Sequence, residues 1–150
     1  MNIGLLASNA AKAHLESQGL ATVTNFYSEI EDPENADENQ NKVRELPCVV
    51  CFCAAAQEYP MGTGNYNVTL AFRVEASGDD TTAEEFAAIY DEVWAVVNTD
   101  TIITDLNSIG SNFTVFGLTG GVEQSTQTIE ERIRIKAMTL PLNCCPRDVS

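Results

Sequence analysis

The most regular pattern of apolar and polar residues in the chain is a strict alternation that begins at Tyr66. The apolar positions are Tyr66, Val68, Leu70, Phe72 and Val74, and the positions between them are Asn67, Thr69, Ala71, Arg73 and Glu75. This period of two predicts a β-strand that packs one face and leaves the other mostly polar. The apolar run over 46–54, with Pro47 near its start, predicts a strand buried on both faces. The glycine-containing segment 60–65 predicts that the two strands form an antiparallel hairpin.

Two further strands are predicted in the last third of the chain. The first covers 112–118 and is closed by Gly120-Gly121, and the second is long, at about 127–140. One side of the long strand carries Ile129, Ile133, Ile135 and Ala137, with Glu131 as the exception. The other side carries Glu130, Arg132, Arg134 and Lys136. Together these segments predict a second hairpin.

Helical spacing of apolar residues marks two segments. Residues 3–20 carry one apolar stripe, and Gly19 stands where a helix commonly stops. The stronger prediction is a helix over about 82–98, capped by Thr81 or Thr82 and carrying Glu84 and Glu85 in its first turn. Residues 101–109 are compatible with a short helical turn, and 21–30 with a short strand.

The order of these elements predicts an α+β fold with one domain over residues 1–150. We expect a four-stranded, largely antiparallel sheet made of two β-hairpins, with helices packed on one face. Residues 29–45 are rich in acids and amides, which predicts a solvated acidic loop inside the domain. Residues 143–150 are interpreted as a loose polar tail.

Charge excludes some classes of function. The chain has 22 Asp and Glu residues against 8 Lys and Arg residues, which gives a formal charge of −14. A protein that grips nucleic acid through its phosphates needs a basic surface, and so does one that docks on anionic lipid. No run of 18 apolar residues is present, so we expect no membrane-spanning segment.

Residues for catalysis are sparse. His14, the single histidine, lies on the first predicted helix and is interpreted as a surface or boundary residue. The glycines at 62–64 and 120–121 are not followed by a lysine, so they are interpreted as turn residues rather than a phosphate-binding loop. We therefore expect no enzyme activity, no catalytic residue and no cofactor.

The cysteines form two groups, which are Cys48, Cys51 and Cys53 in the first strand of the first hairpin and Cys144 with Cys145 near the end. Their apolar surroundings favour buried structural thiols. A thiolate metal site and a disulfide between the two groups remain alternatives. Residues 31–38 lack the glycine and the spacing of a calcium loop, which favours a solvated arm over a weak cation site or a docking arm.

Four of the eight basic residues fall on two predicted strands. They are Arg73, Arg132, Arg134 and Lys136. On a chain of charge −14 such a local basic surface attracts an acidic surface of another copy or another protein. The alternative is a solvated sheet face, or an edge strand protected by its charges.

Several segments resemble the tail-terminator (tail-completion) proteins of long-tailed bacteriophages. The resemblance lies in 46–50, Glu58 and 64–70, then in the acid-capped helix, 113–118 and the final strand ending in 140–142. It covers about residues 46–142 and rests on the order of elements and the positions of apolar residues. It implies a small α+β subunit that assembles into a ring, normally a hexamer, which ends the tail tube and joins it to the head.

The same resemblance implies the partners and the location of the protein. The partners are other copies of the chain, the tail-tube protein and the head–tail connector or neck protein. The protein is expected in the virion after assembly in the cytoplasm of the bacterial host, with DNA passing through the ring without specific binding. Arg73, Arg132, Arg134 and Lys136 are the candidates for contacts between subunits or with the tube. A head-closure protein, a tail-tube subunit and a small cysteine-based metal-binding domain remain alternatives.

Overall fold

A computed structural model of the chain describes residues 2–28, 45–109 and 112–146. Within these ranges the fold is α+β, with three helices and seven strands. The helices are α1 (Ile3–Ser17), α2 (Ala83–Val97) and α3 (Ile102–Ile109). The strands are β1 (Asn25–Ser28), β2 (Cys48–Glu58), β3 (Tyr66–Ser77), β4 (Phe113–Leu118), β5 (Glu123–Gln124), β6 (Thr128–Glu130) and β7 (Ile133–Pro146). The predicted acidic loop, apart from Glu45, lies outside the described residues.

The seven strands form one mixed sheet in the order β1-β2-β3-β7-β4. β1 runs parallel to β2, whereas all other pairs are antiparallel. β5 and β6 pair with β7 beyond the end of β4, because β7 is much longer than any of the three. The prediction of a four-stranded sheet made of two hairpins is therefore wrong. It left β1 out of the sheet, did not include β5, and merged β6 with β7 into one strand.

The predicted strand over 127–140 is interrupted by a tight turn. Glu130 pairs with Ile133, and between them Glu131 and Arg132 have φ angles of 49° and 66°. A two-residue hairpin loop requires such left-handed residues, which are usually Asn or Gly. Glu131 is the exception on the apolar side of the predicted strand because it lies in this turn. At its other end β7 continues to Pro146, four residues into the predicted tail.

All three helices contribute to one core on one side of the sheet, which we call the helix-covered face. From β3 and β7 it receives Val68, Leu70, Phe72, Val74, Met138, Leu140 and Leu142. α2 adds Phe86, Tyr90 and Val93, which recur at helical spacing along its buried stripe. Thr82 begins α2 with a capping box, in which Glu85 N donates to Thr82 Oγ1 and Thr82 N donates to Glu85 Oε1. Of the two residues predicted as the cap, Thr82 is confirmed.

The link between α1 and β1 is tied to α2 by a single carboxylate. Glu92 accepts hydrogen bonds from Thr22 N at 2.9 Å, Thr22 Oγ1 at 2.7 Å and Ala21 N at 3.2 Å. These bonds hold the pKa of Glu92 below its usual value. The link is thus anchored just before β1 enters the sheet.

His14 is buried, with 3% of its surface exposed, so its interpretation as a surface or boundary residue is wrong. Its Nε2 has no hydrogen-bond partner within the described part of the chain. Burial lowers the pKa of His14, although the charge of Asp105 and a hydrogen bond with the Val96 backbone oppose this effect. The folded protein therefore prefers the neutral imidazole.

We predict that His14 makes the folded state less stable as the pH falls. In the unfolded chain His14 binds a proton near pH 6.5, whereas in the folded chain it does so only at lower pH, so stability decreases between about pH 7 and pH 5. Urea unfolding of the wild type and of His14→Gln across this range measures the effect. We expect a shallower pH dependence in the variant. Equal slopes of the unfolding free energy against pH in the two proteins would contradict this role of His14.

Candidate interaction surfaces

The four basic residues singled out in the sequence do not form one surface. In the β3–β7 register Arg73 lies opposite Ala137, while Lys136 lies opposite Val74 and Arg134 opposite Ala76. Val74 and Ala76 belong to the core, and neighbouring residues of a strand point to opposite faces. Arg134 and Lys136 therefore extend from the helix-covered face. Arg73 lies on the other side of the sheet, which we call the second face.

Arg134 and Lys136 hold α2 against the sheet. Arg134 Nε donates to the carbonyl oxygen of Thr81 at 3.0 Å, just before the helix begins. Lys136 Nζ lies 4.3 Å from the centroid of the Tyr90 ring, a favourable cation–π distance. Burial, together with the charge of Asp91, raises the pKa of Tyr90 to about 12, so its phenol stays neutral. Both basic residues have an identified role within the subunit.

Arg132 lies at the turn between β6 and β7 with 83% of its side chain exposed. Its Nη1 is 3.7 Å from Asp79 Oδ2, and an exposed pair at this distance contributes little to stability. The backbone of Arg132 is more strongly engaged, because Gly78 N donates to its carbonyl oxygen at 2.7 Å. This bond joins the turn after β3 to the turn before β7.

On the second face Arg73 neutralises a buried carboxylate. Arg73 Nε donates to Glu75 Oε2 at 2.6 Å, and only 4% of Glu75 is exposed. Cys48 Sγ lies 3.9 Å from the other carboxylate oxygen, and the Arg73 guanidinium lies 5.4 Å from the centroid of the Phe52 ring. A buried carboxylate needs such a partner, since an uncompensated charge would be strongly destabilising.

A concavity of about 710 Å³ opens beside this pair. It is lined by Arg73, Glu75, Glu130, Glu131, Ile133 and Ile135. The two isoleucines are half-buried, and Glu130 and Glu131 come from the β6–β7 turn. The concavity thus combines apolar walls, an internally compensated ion pair and an acidic rim.

The cysteines are divided between the two faces of the sheet. Cys48 shares the second face with Glu75, whereas Cys51, Cys53 and Cys144 belong to the core side. No disulfide joins the five thiols. Burial, with smaller contributions from Cys145 and Cys53, raises the pKa of Cys144 to about 12, and a protonated thiol is a poor metal ligand. Among residues 2–28, 45–109 and 112–146, no three His, Cys, Asp or Glu side chains are grouped to hold a metal ion.

The part of the β2–β3 hairpin over residues 48–72 is almost free of charge, and we call it the neutral hairpin. Residues 46–72 contain a single charged side chain, Glu58, although charged residues make up 20% of the whole chain. Ala54, Ala55, Ala56 and Gln57 are exposed. β1 pairs with β2 only as far as Cys51, so within the described residues the outer edge of β2 beyond that point has no strand partner. Such an uncharged open edge is a potential docking site.

The tip of the neutral hairpin, residues 59–65, presents two large apolar side chains to solvent. Tyr59 is 61% exposed and Met61 is 88% exposed. Two hydrogen bonds cross the tip, because the Glu58 carboxylate accepts from Gly62 N at 3.1 Å and Gly64 N at 3.0 Å. Gly62 and Gly64 have φ angles of 82° and 76°, which confirms their predicted role in a turn.

These tip residues were not among the predicted site residues. The charge-free run over 46–72 is the signal in the sequence that could have identified them.

At the opposite edge of the sheet a side chain blocks the centre of β4. On β4, Val115 N donates to Asn107 Oδ1 at 2.7 Å, and Asn107 Nδ2 donates to the Val115 carbonyl oxygen at 3.0 Å. The amide of Asn107, on α3, thereby takes the place of a neighbouring strand. Phe116 and Leu118 on β4 are 55% and 43% exposed, so this edge is apolar but blocked at its centre.

A scan of the chain against protein-family models finds no match, and a search of curated proteins finds no similar sequence. None of the helices in the described ranges combines the length and the apolar character needed to cross a membrane. The assignment of a function therefore depends on the surfaces described above.

We predict that a methyl group at position 78 disturbs the junction of the two turns. A Cβ added to Gly78 would lie 2.8 Å from the Arg132 carbonyl oxygen, which is closer than such atoms approach. We expect Gly78→Ala to lower the free energy of unfolding by about 1–3 kcal/mol. Urea denaturation measures the loss. The matched control is Gly117→Ala, because no heavy atom lies within 4 Å of a Cβ added there. An unchanged free energy of unfolding in Gly78→Ala would show that the two turns accommodate the methyl group without cost.

We predict that Asn107→Ala both destabilises the fold and opens the β4 edge. The variant loses two hydrogen bonds and leaves the Val115 backbone without its partner, which costs about 1–3 kcal/mol. Thermal or urea unfolding measures the stability, and size-exclusion chromatography with light scattering measures self-association. Ser108→Ala is the control, since Ser108 Oγ makes only a local bond to Thr104. Equal stability and equal self-association of the two variants would show that Asn107 does not protect the β4 edge.

Proposed function

We propose that this protein is the tail terminator of a long-tailed bacteriophage, a structural subunit of a ring that ends the tail tube and joins it to the head connector. The observation that carries the proposal is the uncharged, hydrogen-bonded hairpin tip, which exposes Tyr59 and Met61 to solvent. A group of exposed apolar side chains within one surface segment, such as Tyr59 and Met61 in this tip, is typical of a contact with another protein. The order of elements over 46–142, which resembles tail terminators, supports the same role.

A ring subunit needs two different contact surfaces, because closed rings are built from heterologous contacts. The chain offers distinct surfaces of this kind. The neutral hairpin projects from one end of the sheet, while the concavity with its acidic rim lies near the β6–β7 turn. Both are candidates for contacts with neighbouring copies, with the tail-tube protein or with the connector.

The strong negative charge suits a ring through which DNA passes. An assembly of subunits that each carry a charge of −14 repels phosphates, and repulsion prevents DNA from adhering to the lumen. Of the four basic residues, Arg73, Arg134 and Lys136 already contact groups of their own subunit. Arg132 is the most exposed of them and remains a candidate for contacts between subunits.

Negative-stain electron microscopy of the purified full-length protein tests the proposal. We expect isolated rings, with six subunits by analogy with tail terminators, and a central opening wide enough for duplex DNA. Extended tubes would instead favour a tail-tube subunit. A protein that stays monomeric at high concentration would contradict the ring.

The absence of DNA adhesion is tested separately by an electrophoretic mobility assay with duplex DNA. We expect no retardation at about 50–200 mM salt, a range over which phosphate-binding proteins change their affinity strongly. Tight, salt-dependent binding would contradict a lumen that repels phosphates.

A further inference from the structure

Two surfaces of the subunit lie at opposite ends of the same strand. The tip of the neutral hairpin is attached to Tyr66, the first residue of β3, whereas Glu75, near the end of β3, lines the concavity. Nine steps along the strand, from residue 66 to residue 75, span roughly 30 Å. A projection at one end and a recess at the other allow identical subunits to contact each other head to tail.

Charge restricts where two copies of this chain are able to meet. Each copy has a formal charge of −14, and charges repel over about 10 Å at moderate salt. The tip avoids this repulsion, because 59–65 contain no charged residue and the Glu58 carboxylate is held by Gly62 N and Gly64 N. An acidic rim tolerates such a tip, whereas it would repel one that carried carboxylates.

The chemistry of the concavity matches the two exposed side chains of the tip. Ile133 and Ile135 form its apolar wall, and the charges of Arg73 and Glu75 compensate each other. A methionine adapts to an irregular apolar recess, while a tyrosine buries its ring and keeps its hydroxyl hydrogen-bonded. The rim carboxylates of Glu130 and Glu131 are suitable acceptors for the Tyr59 hydroxyl.

We propose that the hairpin tip of one copy inserts Tyr59 and Met61 into the concavity of the next copy. This inference rests on the proposed ring and names the contact that builds it. Hydrogen bonds within the subunit already constrain the tip, from Gly62 N and Gly64 N to the Glu58 carboxylate and from Tyr59 N to the Asn65 carbonyl oxygen at 2.8 Å. Little conformational freedom is then lost on association, which strengthens binding.

The first test uses the double variant Tyr59→Asp with Met61→Glu in the full-length protein. The side chains are exposed, so the fold is expected to persist, which circular dichroism and urea unfolding verify. Analytical ultracentrifugation is expected to show association weakened by roughly 30-fold or more, the effect of losing an interface hot spot.

The control is Ile129→Glu, which adds a negative charge at an apolar residue that is 58% exposed and lies on the face opposite the concavity. It is expected to assemble like the wild type. Unchanged assembly of the double variant would overturn the inference.

The second test identifies the receiving surface directly. A photoreactive benzoylphenylalanine replaces Met61, and the labelled protein is mixed with an isotopically heavy wild type before irradiation. We expect crosslinks from position 61 to the segment around Ile133 and Ile135 of the other copy. Crosslinks to a different segment, or none between copies, would overturn the inference.

The two tests separate this contact from the proposed function. Rings that persist in the double variant would contradict the proposed contact and leave the terminator proposal intact. Crosslinks at Ile133 and Ile135 in an assembly that is not a ring would support the proposed contact and contradict the terminator proposal.

Discussion

Pairing along both edges of β7 is the interaction on which the rest of the structure depends. β3 occupies one edge from Ile133 to Cys144, and β4, β5 and β6 share the other. The buried side chains of Met138, Leu140 and Leu142 fix its register, because a slip of one residue would move all three out of the core. The same register sets Ile133 and Ile135 on the second face. A single choice of pairing thus determines both the core and the concavity.

The sequence predicted those helices and strands whose apolar spacing or capping residue lies within the element itself. The alternation from Tyr66 to Glu75 corresponds to β3, and the capping residue and apolar stripe of α2 were identifiable because each depends on its own segment. The parallel pairing of β1 was not predictable in this way, since four residues from 25 to 28 say nothing about which strand they join. The turn at Glu131 and Arg132 was missed because neither residue is one that left-handed turns usually contain.

The prediction for the basic residues failed for a different physical reason. Alternation correctly assigns Arg134 and Lys136 to one side of β7, but it does not say which residue of β3 lies beside them. That register is decided across strands, and it sends Arg73 to the opposite face. His14 was misjudged because its neighbours, the Val96 backbone on α2 and the Asp105 charge on α3, are distant in the sequence, and no local pattern predicts that they lie beside α1. In contrast, the scarcity of charge over 46–72 is visible in the sequence, although only the structure assigns those residues to a projecting hairpin.

The amide of Asn107 has a consequence for how far a sheet of these subunits is able to grow. Strands with two open edges add further strands without limit, which is the geometry of fibrils. In this molecule the centre of β4 is already occupied by a side chain of its own chain, while among the residues that the structure describes no strand pairs with the outer edge of β2 beyond Cys51. Backbone pairing between copies is therefore hindered at the centre of β4 and favoured along β2, where two copies are able to pair with each other. Pairing through β2 alone joins only two chains, so a ring of more subunits needs side-chain contacts as well, which can be specific in number and direction.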